Sequence, residues 1–415
     1  MSTDVAVNQR KPCILVIGQA GPARGFSRVL RSLFEPLKDR YEIHQFGYDC
    51  FEGWTDFGWR VHPNQNRSDF YGTAQIGPLI NKLRPHVIFL LNDLWKIPIY
   101  LEVLKQYRGQ SKTVAYCPLE GPIRNREIIE RLAGVDRLVV YNHFAKKAID
   151  DCFDAMRGNQ SEYAFPKIEI IPHGVDTKTF YACPDDIHRF SDERRIKARQ
   201  FLFSTEPQDP ESFIVLNANR NQPRKRIDIT VRGFSIFAQG KPKHVKLYLH
   251  TEIKAPQSDL WHLAKNYGIA DRLITTGAPE GHPSVTDDEL NLIYNACDVG
   301  INTSTGEGWG LVSFEHAATG AAQVVPRHSA CGELWEGSAV MLDATDGCNR
   351  SNLAFHQKLV SDEAVANALE RLYQDHDYRK EMSIAAYENA TGAQYRWESI
   401  AQRWTNLFDD LLSEE

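Results

Sequence analysis

Ser304-Thr-Gly-Glu-Gly-Trp-Gly-Leu-Val-Ser-Phe-Glu-His-Ala-Ala-Thr-Gly-Ala-Ala-Gln-Val-Val325 reads as a strand end, a glycine-rich loop, a helix and the start of another strand. A helix bridging two strands in so short a span implies a parallel pair with a crossover connection. Glu307 lies in the loop, and Glu315 lies eight residues later, inside the expected helix. The amides of Gly308, Trp309, Gly310, Leu311 and Val312 are expected to crown the helix N-terminus. Roughly half a positive charge gathers there and helps hold an anion such as a diphosphate. Two carboxylates bracketing such a loop are a candidate site.

Working outward, the same alternation fills the chain. Strands are expected at Cys13–Ile17, Tyr41–Phe46, Trp59–His62, Val87–Leu91, Thr113–Tyr116, Arg137–Tyr141 and Ile168–Ile171. After a polar stretch they resume at Phe213–Asn217, Lys246–His250, Leu273–Thr276, Asp298–Asn302, Gln323–Pro326 and Ala339–Leu342. Short continuous apolar runs separated by helical periodicity mark parallel sheets covered on both faces. The reading is an α/β chain of two Rossmann-like domains facing across a cleft. Residues 1–182 form the first domain, 183–210 a linker and 211–392 the second. Trp397, Ile400, Trp404, Leu407, Phe408 and Leu411 make one apolar stripe of a C-terminal helix at about 393–415.

Composition narrows the classes. Among 415 residues, 42% are apolar and 25% charged, a globular balance. No apolar run approaches the roughly 18 residues of a spanning helix, and the polar start Met1 to Lys11 is unlike a secretory signal. Eight cysteines without a Cys-x-x-Cys pair argue against structural zinc and a disulfide framework, so a reduced, cytoplasmic protein is expected. A net charge of −6 argues against nucleic acid as partner. The charge is unevenly spread: residues 1–180 carry 24 Lys and Arg against 20 Asp and Glu, and residues 181–415 carry 24 against 34.

Ligands of open α/β sheets bind at the carboxyl ends of strands, so the loops there hold the candidates. Gly18-Gln-Ala-Gly-Pro-Ala-Arg-Gly25 follows the first strand, but it is neither a dinucleotide fingerprint nor a Walker loop. A nicotinamide dehydrogenase is therefore excluded, while Gly25 still feeds a helix N-terminus that an anion could approach. Asn219-Arg220-Asn-Gln-Pro-Arg-Lys-Arg226 follows the first strand of the second domain, where Arg220 and Lys225 are placed to neutralise a leaving phosphate without a metal. The lone Asp-x-Asp, Asp375-His-Asp377, falls in a helical stretch far from any strand end.

Together these motifs resemble those of the GT-B-fold glycosyltransferases, specifically the retaining glycosyltransferase family 4. Ile171-Pro-His-Gly-Val-Asp176 with Phe180 is similar to the signature that closes that family's first domain. Arg220 and Lys225 match its diphosphate pair, Tyr294-Asn-Ala-Cys-Asp298 precedes the donor loop, and Glu307 to Glu315 matches its Glu-x7-Glu motif. The resemblance covers Cys13 to Leu411 and implies a C-terminal helix that crosses back to the first domain. It departs at Lys225-Arg226, where the family has Lys-Gly. It departs also at Tyr116-Cys-Pro-Leu-Glu-Gly121, where a sugar-contacting histidine is absent. His173 is expected to order its loop rather than to react.

The resemblance implies transfer of a hexose, with retention, from a donor of the GDP-mannose or UDP-glucose type to an acceptor hydroxyl on a glycan, lipid or small molecule. Glu315 would accept from ribose hydroxyls, and Glu307 would hold hydroxyls of the donor sugar. Arg220 and Lys225 would stabilise the leaving diphosphate, and Gly25 would close on the phosphates. No cofactor and no metal are expected. Tyr116, Glu120, Arg24 and Arg28 are candidate sugar or acceptor contacts. With Arg31, the arginines at 24 and 28 would form a basic face for an anionic acceptor and peripheral membrane contact. The alternatives are a non-catalytic nucleotide-sugar-binding protein and a sugar-nucleotide epimerase of the same fold.

Overall fold

The structure, a computed structural model, describes residues 10–21, 25–51, 57–157, 165–184, 188–204, 209–277, 281, 283–347 and 354–414. All thirteen expected strands are present, with every end within one residue of its expected place. The first sheet contains β1 (Cys13–Gly18), β2 (Glu42–Gly47), β3 (Arg60–Pro63), β4 (Val87–Leu91), β5 (Lys112–Tyr116), β6 (Arg137–Val140) and β7 (Lys167–Ile170). They are parallel throughout, in the order β3-β2-β1-β4-β5-β6-β7. Every residue of β1 and of β4 is buried, as helices on both faces require.

The second sheet contains β8 (Phe213–Asn217), β9 (Val245–Leu249), β10 (Leu273–Thr275), β11 (Val299–Ile301), β12 (Ala322–Pro326) and β13 (Val340–Leu342). It too is parallel, ordered β10-β9-β8-β11-β12-β13. Strand order reverses between β1 and β4 in one sheet and between β8 and β11 in the other. Crevices open at the carboxyl ends of such switch points. The Arg220–Arg226 loop leaves β8 and the Glu307 loop leaves the adjacent β11, so the fold sets the two motifs on either lip of one crevice. This is the GT-B arrangement.

The C-terminal helix, Trp397–Ser413, lies against the first domain as expected. Its apolar stripe is buried: Trp404 meets Phe89 and Tyr116 edge-on at 5.1 and 4.9 Å, and Phe408 packs on Phe34 and Tyr41. Just before it, Tyr395 O accepts from Val175 N at 2.8 Å, which fixes the returning chain beside the 171–176 signature.

The expected linker is more than a connection. Asp192–Leu202 is a helix, N-capped by Ser191 and docked on the second domain. Its composition conceals this, because three of its four buried residues are arginines, Arg194, Arg195 and Arg199, beside Ala198. They end on carbonyls at the C-termini of two helices, where unpaired C=O groups and the dipole favour cations. Arg199 Nε donates to Ala296 O at 2.9 Å, at the end of helix Asp287–Ala296. Arg194 Nη2 and Arg195 Nη2 donate to Thr319 O and Gly320 O at 3.0 and 2.7 Å, just past helix Leu311–Ala318. Asp298 pairs with Arg199 and accepts from Ile214 N at 2.7 Å.

Breaking a buried ion pair by removing one partner typically costs about 3–5 kcal/mol. Asp298→Ala should therefore lower the unfolding free energy by that order in urea denaturation. Phe201→Ser, at a side chain 65% exposed on the connector helix, should change it by no more than about 0.5 kcal/mol.

Candidate active site

Glu307 sits in the loop after β11 and is buried. Its loop is pinned through both backbone groups: Glu307 N donates to Ser329 Oγ at 3.1 Å, and its carbonyl accepts from Ala330 N at 3.2 Å. The carboxylate pairs with Lys225 Nζ, and it accepts from Asn302 Nδ2 at 3.2 Å and Arg224 Nη1 at 3.4 Å. Burial alone would raise its pKa, but the charges of Lys225 and Arg224 outweigh burial and bring it to about 2. Lys225 experiences the converse: burial and neighbouring Arg224 lower its pKa against the pull of Glu307.

Lys225 ends a short 3-10 turn, Pro223–Lys225, and Arg226 follows with φ 46°. A left-handed backbone favours glycine, and a residue with a Cβ there costs roughly 1–2 kcal/mol. Here the arginine is held by a bidentate bond to Asp228, at 2.9 and 2.8 Å, and by Thr303 Oγ1 on its carbonyl. The Lys-Arg departure thus keeps the turn that Lys-Gly would make. Arg220, on the same loop, is exposed.

Glu315 lies in helix Leu311–Ala318, which starts after Gly310 at φ 95°. Its carboxylate accepts from Tyr294 OH at 3.0 Å and from Arg28 Nη1 at 2.9 Å. Arg28 also reaches Asp287 at 2.8 Å and lies over the Phe180 ring. Burial raises the pKa of Glu315, and Arg28 opposes that rise. Arg28 was expected to face an acceptor. It instead bridges to the second domain, because its helix, Gly25–Phe34, points its N-terminal end at that domain's loop helix. A Cβ placed on Gly25 would stand 3.6 Å from Leu311 Cδ1, so the two helix starts adjoin.

Tyr116 is a second correction. It is fully buried, and its hydroxyl lies 2.7 Å from His173 Nδ1 and 3.0 Å from Ile171 O. It belongs to the core beneath the signature loop and presents nothing to a sugar. His173 is buried as well, and burial lowers its pKa to about 3, so it stays neutral and orders the loop. The Trp309 side chain is likewise packing, stacked on Phe314 at 4.7 Å and set against Tyr395 and His173. Gly308 needs to be glycine: a Cβ there would come within 2.4 Å of Pro118 Cβ. Its carbonyl accepts from Asn142 Nδ2 at 2.9 Å. Arg24 lies outside the described residues.

Glu120, by contrast, is at the site. Its carboxylate meets Arg224 Nε at 3.1 Å, and burial raises its pKa. Arg224 therefore touches acids of both domains, and sequence reading did not single it out. Its signal was its place in the 219–226 basic run, which does not reveal which of four cations turns inward. Asn142, Asn302 and Ser329 carried no signal beyond lying near strand ends. Asp375 caps helix His376–Ala390 by accepting from Tyr378 N.

No protein-family model matches the chain. Among curated proteins, the serotype-specific mannosyltransferase WbdA of Escherichia coli is 25% identical over 207 residues, covering 49% of this chain and 22% of that one. The D-inositol 3-phosphate glycosyltransferase of Corynebacterium aurimucosum is 26% identical over 341 residues, 80% of this chain and 71% of that one. The chain thus spans about a fifth of the first curated relatives it matches. Among solved structures, sucrose-phosphate synthase from Thermosynechococcus elongatus superposes with TM-score 0.73 at 17% identity, covering 98% of this chain and all of that one. Anabaena HepE in complex with UDP-glucose gives TM-score 0.68 at 15% identity, covering 96% and 99%. The chain is similar, in sequence and in fold, to glycosyltransferases, as its motifs implied.

The Glu307 carboxylate titrates lower in the folded chain, near 2, than its ordinary 4.5. Its contribution to stability is therefore complete above about pH 4.5 and is lost as pH falls toward 2, on the order of 3 kcal/mol in all. Lys225→Met removes most of that contribution. The stability gap between wild type and Lys225→Met, measured by urea denaturation, should be widest near pH 6 and narrow steadily toward pH 3.

Proposed function

We propose that this chain is a retaining, metal-independent glycosyltransferase. It would move a hexose from a nucleotide-diphosphate sugar to an acceptor hydroxyl on a glycan, lipid or small molecule. The observation that carries this reading is the buried, ionised Glu307 held by Lys225 and Arg224 at the carboxyl end of a parallel strand, across a domain boundary from Glu120. The donor is read as being of the GDP-mannose or UDP-glucose type; one relative is named for mannosyl transfer, and one protein of similar fold was solved with UDP-glucose.

In this reading the diphosphate lies against the adjoining starts of helices Gly25–Phe34 and Leu311–Ala318, where backbone amides and dipoles favour anions. Lys225 and Arg220 stabilise the charge that develops as the glycosidic bond breaks, an electrostatic role that often dominates such catalysis. They also do the work a divalent cation would do, so no metal is required. Glu307 is ionised and ion-paired. It holds sugar hydroxyls and positive charge near the reacting carbon and delivers no proton. Retention follows, by resemblance, from attack on the face the diphosphate leaves, with a phosphate oxygen taking the acceptor's proton. Glu315 accepts from the ribose, using carboxylate positions beyond the two that Arg28 and Tyr294 occupy.

The test is nucleotide release and product formation with a panel of UDP- and GDP-hexoses, followed on two variants. Glu307→Gln should leave the Kd for the free nucleotide diphosphate within about twofold and cut turnover by about 10²–10³. Glu315→Ala should weaken free nucleotide and intact donor alike, by about 10- to 150-fold, because a lost hydrogen bond to a charged group is worth roughly 1.5–3 kcal/mol. The opposite pattern would mean that the donor lies the other way round.

Activity should also survive EDTA. Complete loss on chelation, restored by manganese or magnesium, would refute the metal-free mechanism.

A further inference from the structure

Beside the loop that carries Glu307, where Thr305 and Gly306 line it, a cavity of about 390 Å³ opens between the domains. None of Glu315, Tyr294 or Arg28 borders it. Its volume is within the ~300–1,000 Å³ usual for small-molecule sites. The first domain contributes Trp95, from the loop after β4, with Glu120 and Asn125 from the loop after β5. The second contributes Arg224, Phe355 and Gln357. Phe355 arrives on a strap of extended chain laid antiparallel along residues 122–125. Arg124 N donates to Ala354 O, and His356 N donates to Pro122 O, both at 2.8 Å. Neither domain alone could form this cavity.

Its chemistry is specific. Trp95 is 49% exposed, one of the few large aromatic side chains so open among the described residues, and Lys96 lies over its ring at 4.7 Å. An indole beside a pocket suits the apolar C–H face of a pyranose, whose hydroxyls then point to polar groups around the rim. The charges argue against an anionic ligand. Arg224 divides its guanidinium between Glu120 and Glu307, and Lys96 pairs with Asp93 at 2.7 Å. A phosphate or carboxylate entering would find these cations already matched by carboxylates, and Glu120 in the wall.

We infer that this cavity is the acceptor pocket, that it takes a neutral saccharide ring stacked on Trp95, and that both domains determine its specificity. The inference rests on the transferase reading for the direction of transfer, while the binding of the ring is independent of it. Arg224 is the shared wall: it faces the cavity on one side and touches Glu307 on the other. A hydroxyl presented there lies one guanidinium away from the carboxylate proposed to hold the donor sugar.

The experiment is saturation-transfer NMR on the full chain with methyl α-D-mannopyranoside, methyl α-D-glucopyranoside and glucose 6-phosphate, with nucleotide-diphosphate affinity measured on the same samples. A neutral hexoside should bind wild type. Trp95→Ala should weaken it about tenfold, Trp95→Phe should restore most of the affinity by returning a ring, and neither should alter the nucleotide Kd. Melting temperatures verify that both variants fold. Three outcomes would overturn the inference: no hexoside binding to wild type, binding indifferent to Trp95→Ala, or binding of the phosphorylated sugar alone. Failure of the transferase reading would look different, since wild type would then bind no nucleotide diphosphate while hexoside binding at Trp95 remained.

Discussion

A carboxylate cannot be buried and ionised without partners, and Glu307 is both. That constraint organises the centre of the molecule. Lys225 and Arg224 have to come off the end of β8 together and turn back toward β11, which puts Arg226 in a left-handed conformation that Asp228 must hold. Asn302 has to point inward from the end of β11, and Ser329 has to receive the Glu307 amide. Arg224 then has donors to spare and takes Glu120 from the other domain. The charge balance of one side chain thereby becomes a contact between domains.

The sheets were legible because the signal for a buried parallel strand is local. A run such as Cys13-Ile-Leu-Val-Ile17 between helical patterns has few other uses, and all thirteen such runs became strands. The C-terminal helix was legible for the same reason, through the spacing of Trp404, Phe408 and Leu411. The connector helix was not. Its buried face is made of arginines, and hydropathy cannot distinguish an arginine that caps a helix C-terminus from one in water. Only the positions of Ala296, Thr319 and Gly320 reveal the difference, and those are about 100 residues or more away.

At the site, Glu307, Lys225 and Glu315 were marked by the spacing of their motifs, and Arg28 was marked too, but its partnership with Glu315 across the cleft was not. Arg28 reads as part of a basic helix face in the sequence because positions 24 and 31, four and three residues away, are arginines too. Nothing in that spacing shows that Glu315 and Asp287, more than 250 residues later, stand opposite it. Tyr116 misled in the opposite direction. It ends a strand where the cleft begins, yet Trp404 of the returning helix covers it and His173 takes its hydroxyl. Which residues at a strand end face the cleft depends on what the far end of the chain packs against.

Two kinds of contact join the domains, and their chemistry differs. The C-terminal helix buries Ile400, Trp404, Leu407, Phe408 and Leu411, each side chain contributing roughly 1.5–3 kcal/mol by removal from water. Across the cleft the contacts are polar. Arg28 reaches Glu315 and Asp287, Arg224 reaches Glu120, Asn142 reaches Gly308 O, and Glu333 accepts from His143 N and Phe144 N at the start of a first-domain helix. The side chains of Arg28, Arg224 and Glu120 are about a third exposed, whereas Glu315, which Arg28 reaches, is buried. One link rests on removal of side chains from water, the other on hydrogen bonds and ion pairs. The polar groups that meet across the cleft include Glu315, proposed to read the donor, and Glu120 and Arg224, which line the cavity proposed for the acceptor. The residues proposed to bind ligand are thus also those that bring the two domains together.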